Sequence, residues 1–368
     1  MSRLNELIQK LCPDGVEFKK LGDVCYILDY KRKPISKSKR NFGNYPYYGA
    51  NGIQDYIDDF LFDGTFLLIG EDGSVINKNN SPVLNWATGK IWVNNHAHVL
   101  SEMREIMLLR FLYFTLSEIN ISDIVRGIPP KLNQENLRNI KVPVPPLDVQ
   151  NEIVRILDTF TSHTAELQAE LQARKEQYEY YRNKLLTFDK DDKNVKWMKL
   201  GEISNVVSGK NKEKNSIGTY PVYGSTGIIA YTENFSYCDE RILVARVGAN
   251  AGYTHIASGK YDVSDNTLVV DVKGHINFKY VYYSLVNLNL NKYAKGGGQP
   301  LITAGEIKTI QIPIPPLSEQ QRIVSILDKF ESLVNNLTEG LPAEIAAVQE
   351  QYEYYRNKLL SFPEIKEL

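Results

Sequence analysis

A short basic segment contains the residue types best suited to bind phosphate. Residues 31–40 read KRKPISKSKR, with six cationic side chains and no acidic one. Pro34 and the two serines indicate a loop. Lys and Arg bind nucleic-acid phosphates regardless of base sequence, and the alternative is a solvated basic loop. The predicted phosphate contacts are Lys31, Arg32, Lys33, Lys37, Lys39 and Arg40.

Two segments of the second half could also approach a nucleic acid. Residues 209–215 read GKNKEKN, a weaker basic run because Glu213 interrupts it. Residues 292–300 read KYAKGGGQP, where glycines let the backbone come close and Gln299 could pair with adenine. The alternatives are a solvated loop and a flexible connector. The candidate contacts here are Lys210, Lys212, Lys214, Lys292, Lys295 and Gln299.

Other chemistry has weaker support. His96 and His98 lie in NNHAHVL, but a zinc site needs two more ligands and none stands nearby in sequence, so we expect neither a metal nor a cofactor. No phosphate-binding P-loop, HExxH or GxSxG motif occurs, nor an Asn/Asp-Pro-Pro-Tyr/Phe segment of the adenine methyltransferase type. We therefore expect no catalytic residues.

Composition places the chain among ordinary globular proteins. It has 368 residues, a net charge of −1 and a pI near 6.6, which argues mildly against a simple basic DNA-binding module. Three widely spaced cysteines suggest free thiols in a reducing compartment. Without a long apolar run or a signal peptide, we expect a cytoplasmic protein with no membrane partner.

Internal repetition decides the architecture. QYEYYRNKLLTF (177–188) and QYEYYRNKLLSF (351–362) differ only at Thr187 and Ser361. IKVPVPPLDVQNEIVRILDTF (140–160) matches IQIPIPPLSEQQRIVSILDKF (310–330), YPYYGANGI (45–53) matches YPVYGSTGI (220–228), and VEFKKLGDV (16–24) matches VKWMKLGEI (195–203). Half of the chain is therefore a copy of the other half.

The copies diverge between these blocks. Residues 54–139 and 229–309 are hard to align, which suits two readers of one design with different targets. The tyrosines of the YPxYG blocks could stack on bases, but both copies share them, so we interpret them as part of a common core turn. Short apolar runs such as FLLIG (66–70) and ILVARVG (242–248) predict strands.

A long helix is predicted after each proline block, VPVPP (142–146) and IPIPP (312–316). Apolar residues recur at steps of four and three, which is a heptad seam. The second seam is displaced by a four-residue insertion containing Gly340 and Pro342, which predicts a break there. The residues expected in helix packing or a subunit interface are Ile153, Leu157, Phe160, Leu167, Leu171, Tyr178, Tyr181, Leu185, Ile323, Leu327, Phe330, Tyr352, Tyr355 and Leu359.

These features give an α+β, internally duplicated fold with two β-rich domains separated by two long antiparallel coiled-coil helices. The seams need a partner, and each supplies the other. We expect Leu157, Phe160, Leu327 and Phe330 to pack against one another. The predicted divisions are a first β-rich domain (1–146), a central helix (147–190), a second β-rich domain (191–316) and a distal helix (317–368) broken near 340–342.

The combined pattern resembles the specificity subunits of Type I restriction–modification enzymes over nearly the whole chain. The shared features are the KLG-D/E opening, the YPxYGxxGI block and the PPLxxQxxIVxILDxF helix. The family's PPLxEQ is intact at Glu319 and Gln320, whereas Val149 precedes Gln150 in the first copy.

The resemblance implies a protein that recognises double-stranded DNA and catalyses nothing itself. By this resemblance, each β-rich domain would be a target recognition domain that reads half of a split site. The helices would space the domains and bind methyltransferase subunits, of which we expect two. Restriction subunits would join the larger complex. Two alternatives stay open. A self-contained methyltransferase or nuclease would act on DNA alone, and a coiled-coil protein adaptor would lack salt-dependent binding to duplex DNA.

Overall fold

The computed structural model describes residues 2–212, 217–335 and 340–365, and the chain divides into two compact units. The first unit contains Met1–Glu166 and Ala346–Leu368, and the second contains Leu167–Ile345. Each mixes sheets with helices in the same order, so the predicted duplicated α+β fold is confirmed. The divisions between units fall inside long helices, not at the proline blocks.

The first unit is built around one six-stranded sheet. Its elements are α1 (Ser2–Leu11), β1 (Glu17–Lys20), α2 (Leu21–Val24), β2 (Cys25–Ile27), β3 (Phe42–Gly49), β4 (Gly52–Ile57), β5 (Phe62–Gly70), β6 (Leu84–Val93), β7 (Ala97–Glu102), α3 (Leu109–Glu118), α4 (Gln134–Arg138), β8 (Lys141–Val144) and the start of α5 (Leu147–Leu186). The sheet order is β2-β7-β5-β6-β3-β4, and β1 pairs with β8.

Strand β5 shows why the FLLIG run is apolar throughout. Leu67 and Ile69 belong to the core beneath the helices, whereas Phe66 and Leu68 belong to a separate cluster with β6 and β7. Successive side chains of a strand point to opposite faces. Both faces of β5 are therefore covered.

The second unit repeats this plan with shorter strands. It contains β9 (Lys196–Lys199), α6 (Leu200–Ile203), β10 (Ser204–Ser208), β11 (Tyr220–Gly224), β12 (Gly227–Thr232), β13 (Arg241–Ala245), β14 (Thr254–Ala257), β15 (Asp262–Val263), β16 (Thr267–Val272), α7 (Phe278–Leu288), α8 (Ala304–Thr309), β17 (Gln311–Ile314) and α9 (Leu317–Asn335). Its last helix, α10 (Leu341–Leu360), continues into the first unit.

The divergent inserts share most of their strand order, although the second unit has a four-stranded sheet and a separate three-stranded sheet, β12-β11-β15, in place of one six-stranded sheet. β10-β16-β13-β14 has the order of β2-β7-β5-β6, and β17 pairs with β9 as β8 pairs with β1. Tyr48 faces Val93 in a parallel pair, and Tyr223 faces Val263 in the same way. The frame is therefore preserved where the sequences no longer align.

The long helices pair as the seams predicted, in antiparallel order. In the first unit Phe160 of α5 contacts Tyr352 and Tyr355 of α10, with ring centroids 6.3 and 5.7 Å apart. In the second unit Tyr178 and Tyr181 of α5 contact Phe330 of α9, at 6.4 and 5.6 Å. With 40 residues, α5 is about 60 Å long.

One predicted contact within this pairing is wrong. Leu157 lies in the core of the first unit, whereas Leu327 lies in that of the second, with Phe330 packed against it. Leu157 and Leu327 thus belong to different units of the chain. Leu157, Phe160, Leu327 and Phe330 therefore do not form a single cluster.

The other residues of the heptad seams are mostly buried or packed against a core. Ile153, Leu167, Ile323 and Leu359 are buried, and Leu171 and Leu185 pack against the second core. Tyr181 is 36% exposed although it stacks on Phe330. The predicted break falls between α9 and α10, where residues 336–339 lie outside the described part of the chain.

The glutamine of each PPLxxQ block joins a helix start to a neighbouring loop. Gln150 is fully buried, accepts a bond from the Leu108 amide and donates to the carbonyls of Ile106 and Pro145. Gln320 likewise accepts from Asn277 and donates to Pro315. Val149 is buried in the first core, whereas Glu319 pairs with Arg322. The preceding position is therefore not part of this contact.

Two terminal features were not predicted. α1 is amphipathic, and its Leu4 is fully buried in the first core. The segment after α10 also closes the first unit, because Val16 donates to Pro363 and accepts from Ile365. Within the described part of the chain, no helix has the length and apolar character needed to span a membrane.

Candidate DNA interface

Five loops come together at one edge of the first unit. Backbone hydrogen bonds link neighbouring loops: Lys33 N to Val93 O (3.2 Å), Asn94 N to Tyr48 O (3.0 Å), Glu71 N to His96 O (2.8 Å) and Gly73 N to Pro130 O (3.0 Å). We call this surface the first loop edge; it comprises residues 29–33, 49–52, 71–74, 94–96 and 126–131.

The second unit has the same arrangement. Its equivalent bonds are Asn211 N to Val263 O (3.0 Å), Ser264 N to Tyr223 O (2.9 Å), Arg246 N to Asn266 O (2.9 Å) and Gly248 N to Pro300 O (2.9 Å). The second loop edge comprises residues 209–212, 224–227, 246–252, 264–266 and 295–301. Loops held by a rigid sheet are a common platform for recognition. Most of these loops lie in the divergent inserts.

The basic segment continues from the first loop edge and keeps four lysines in solvent. Lys31, Lys33, Lys37 and Lys39 are exposed, and none forms an ion pair with another described residue. Its backbone is anchored, because Trp92 donates to Lys33 O at 2.6 Å. These ammonium groups are available to bind phosphate.

The two arginines of this segment, unlike its lysines, are bound to acidic side chains. Arg32 is bonded to Glu71 at 2.5 Å, to Asp29 at 3.3 Å and to the Ala97 carbonyl. Arg40 pairs with Asp55 at 3.2 Å and lies 4.0 Å over the Tyr47 ring. These bonds hold the loop in place, and phosphate contact by Arg32 and Arg40 stays a prediction.

Arg32 belongs to a charged cluster beneath the first loop edge. His98 is fully buried; its Nδ1 lies 2.6 Å from Asp29 and its Nε2 lies 2.8 Å from the Leu132 carbonyl. Both ring nitrogens are therefore within hydrogen-bond distance of an oxygen. Burial opposes ionisation of Asp29, but its bonds to His98 and Val99 and the Arg32 charge together lower its pKa.

This cluster has the residue types of a metal site. Ligand atoms of Asp29, Glu71 and His98 lie within 4.8 Å of one another. However, the Arg32 guanidinium pairs with both carboxylates, and the His98 nitrogens are both engaged. The Arg32 guanidinium thus already neutralises the charge of these carboxylates, so the three residues do not fit a metal ion. His96 pairs separately with Asp72 at 2.5 Å.

The candidate nucleic-acid contacts of the second unit differ in their exposure and in their partners. Lys210, Lys212, Lys292 and Gln299 are exposed, whereas Lys214 lies outside the described residues. Lys295 binds Glu306 at 2.7 Å, and this bond, with those from Thr303, lowers the pKa of Glu306 to about 2. The glycines form a hairpin tip, because Lys295 and Leu301 exchange two backbone bonds of 2.8 Å.

The YPxYG blocks are structural. Each forms one strand and the turn of a hairpin, β3–β4 or β11–β12. Tyr47 is 1% exposed, and its hydroxyl accepts from the Ile35 amide. The interpretation as a common core turn therefore fits their positions, and stacking on bases does not fit Tyr47.

Sequence reasoning missed one candidate on the second loop edge. Arg246 directly follows β13, in the run ILVARVG that was assigned only as a strand. Its isolation from other basic residues hid it. Apolar residues lie on both sides of Arg246 in this run. The sequence therefore did not indicate that β13 ends at Ala245 and that Arg246 begins a loop.

Comparison with known proteins agrees with this architecture. The family model described as Type I restriction modification DNA specificity domain matches residues 13–177 and 192–347. A Haemophilus influenzae protein described as a type I restriction enzyme specificity subunit is 39% identical, covering 94% of this chain and 96% of its own. The Escherichia coli EcoR124I/EcoR124II specificity subunit is 31% identical, and the match covers 84% of this chain and 89% of the relative's own length.

A solved structure shares the fold. The crystal structure of the type I restriction–modification S subunit from M. genitalium covers 94% of this chain and 96% of its own, with a TM-score of 0.63 and 15% sequence identity. The family model matches most of the chain, in two copies that coincide with the repeats. The chain therefore belongs to the family of Type I restriction–modification DNA specificity subunits.

Proposed function

We propose that this specificity subunit recognises a split DNA sequence, with each loop edge reading one half-site. The observation that carries the proposal is the repeated loop edge, held by equivalent backbone bonds but bearing different side chains. Equivalent scaffolds position both readers, and unlike side chains give them different targets.

Phosphate binding positions the first reader on DNA. Four cationic groups beside the first loop edge form no ion pair with another residue that the structure describes: Lys31, Lys33, Lys37 and Lys39. In the second unit Lys210, Lys212 and Lys292 are exposed, and Gln299 lies at a hairpin tip where it could approach a base edge. Such contacts orient a protein on the duplex, and base-edge contacts then supply sequence preference.

The long helices serve as a spacer and a docking surface. The repeated QYEYYRNKLL segment leaves Tyr180 and Tyr354, which occupy equivalent positions, 59% and 60% exposed. Two equivalent surfaces suit two methyltransferase subunits, with restriction subunits joining the larger complex. The reaction chemistry then belongs to those partners.

Methyl transfer with purified components tests this function. The chain alone, given S-adenosylmethionine and duplex DNA, is expected to transfer no methyl group. With its methyltransferase subunits it is expected to direct methylation to one split sequence. Methylation by the chain alone would favour an enzyme, whereas absence of salt-dependent DNA binding in the assembled complex would favour a protein adaptor.

A further inference from the structure

Arg246 occupies a central position on the second loop edge. Its amide donates to Asn266 O at 2.9 Å, and its carbonyl accepts from Ile302 at 2.9 Å. The Asn266 carbonyl also accepts from the Ser225 hydroxyl. Three loops thus meet at this residue, and its backbone is held on both sides.

The Arg246 side chain is cationic and weakly engaged. Its only hydrogen bond among the described residues runs from Nη1 to the Asp265 carbonyl at 3.3 Å. Nε is shielded from solvent and has no acceptor. No ion pair with Arg246 occurs in the part of the chain that the structure describes. A half-buried guanidinium without a counter-charge has donors available for an external acceptor.

The equivalent position of the first unit is occupied in a different way. Glu71 makes the same backbone bonds, its amide to His96 O and its carbonyl to Leu132 N. Its carboxylate is neutralised by Arg32 at 2.5 Å and Lys131 at 3.3 Å. The equivalent position therefore carries a carboxylate held in ion pairs in the first unit. In the second unit it carries a guanidinium that forms no ion pair with any described residue.

We propose that Arg246 is a specificity-determining residue that recognises a guanine in the half-site read by the second unit. This rests on the proposed function. Guanine presents two acceptors, O6 and N7, in the major groove, and the guanidinium fork can bind both. Exposed, mobile lysines suffice for phosphate, whereas a backbone fixed at both its amide and carbonyl suits a defined base edge.

Selection from randomised DNA tests this assignment. The full chain, assembled with its methyltransferase subunits, would be used to enrich binding sequences from a duplex pool. The variants are Arg246→Lys, which keeps the charge but loses the fork, and Arg246→Ala. The matched control is Arg241→Gln at the opposite end of β13, where Arg241 pairs with Asp239 at 2.7 Å. Thermal unfolding would verify that each variant folds.

The wild type is expected to prefer guanine at one position by roughly 5- to 150-fold, and both Arg246 variants to lose that preference alone. Arg241→Gln should keep it. The assignment is overturned if Arg246→Lys selects the same bases as the wild type, or if Arg246→Ala weakens all sequences equally and lowers the salt slope, which indicates a phosphate contact. If the wild type selects no split sequence, the proposed function itself fails.

Discussion

At the scale of single residues, the lysines and the arginines of the basic segment differ in their surroundings. Six cations in ten residues looked equivalent in sequence, yet Arg32 and Arg40 are bound to carboxylates. Their partners Asp29, Glu71 and Asp55 were not identifiable from the run itself, because tertiary folding brings them there. The planar guanidinium suits such part-buried pairs, whereas lysine keeps a hydrated ammonium in solvent.

Lysine substitutions test whether the exposed lysines of the basic segment bind phosphate. Replacing Lys37 with Ala is expected to weaken binding to all DNA sequences alike and to lower the salt slope by about one, because one phosphate contact is lost. Binding titrations at several salt concentrations measure both effects. Lys10→Ala, an exposed lysine on α1, should change neither. If Lys31, Lys33, Lys37 and Lys39 can all be replaced without effect at low salt, the loop is merely solvated.

The pH dependence of stability tests the cluster around Asp29. Because the folded-state pKa of Asp29 is lowered, its ionised form stabilises the fold above about pH 4, and this contribution is lost as pH falls through the folded-state value. Asp29→Asn is therefore expected to cost about 3 kcal/mol at neutral pH, from breaking a buried pair. The difference from wild type should shrink in acid.

Amide hydrogen exchange in β7 measures this effect without assuming two-state unfolding. Asp14→Asn provides a control, because Asp14 is exposed in a turn. A difference between Asp29→Asn and wild type that stays constant from neutral to acid pH would show that the Asp29 charge does not stabilise the first unit.

At the scale of elements, the sequence was most informative where periodicity is strong. The heptad seam predicted α5 and its antiparallel pairing, because one apolar stripe must be covered. It could not show that α5 begins in one unit and ends in the other. The loop edges were hidden because backbone hydrogen bonds hold them, and such bonds place little demand on side-chain identity.

Lengthening α5 tests its role as a spacer. Inserting four residues beside Leu171 adds about one helical turn, or roughly 6 Å. Since base pairs rise about 3.4 Å each, the gap between half-sites is expected to change by one or two base pairs. A four-residue insertion also unwinds the coiled coil locally, which absorbs part of the added length.

Methylation mapping of the reconstituted complex reads out this gap. The half-site sequences should stay the same, because neither loop edge is altered. Substitution of the neighbouring exposed residues 168–170 of α5, without an insertion, is the control. An unchanged gap in a complex that still methylates would mean that the helices hold the partners but do not set the spacing.

At the scale of the whole molecule, duplication is the organising feature. One scaffold occurs twice in the chain, and the inserts keep its strand order while changing the side chains on the loops. The sequence revealed the duplication because QYEYYRNKLL occurs twice unchanged and the other joining blocks are similar. It could not reveal which insert residues are equivalent, such as Glu71 and Arg246, because that equivalence lies in the backbone pairing.

Exchange of one insert tests the central claim most directly. Residues 25–139 run from the start of β2 to just beyond α4, so replacing them with a homologous insert leaves the β1–β8 pair and α5 intact. Exchange of the equivalent residues 204–309 in the second unit is the matched control. Methylation mapping of each reconstituted complex is expected to show one half-site changed, a different half for each exchange, with the other half preserved. A change in both half-sites after a single exchange would contradict independent reading by the two units.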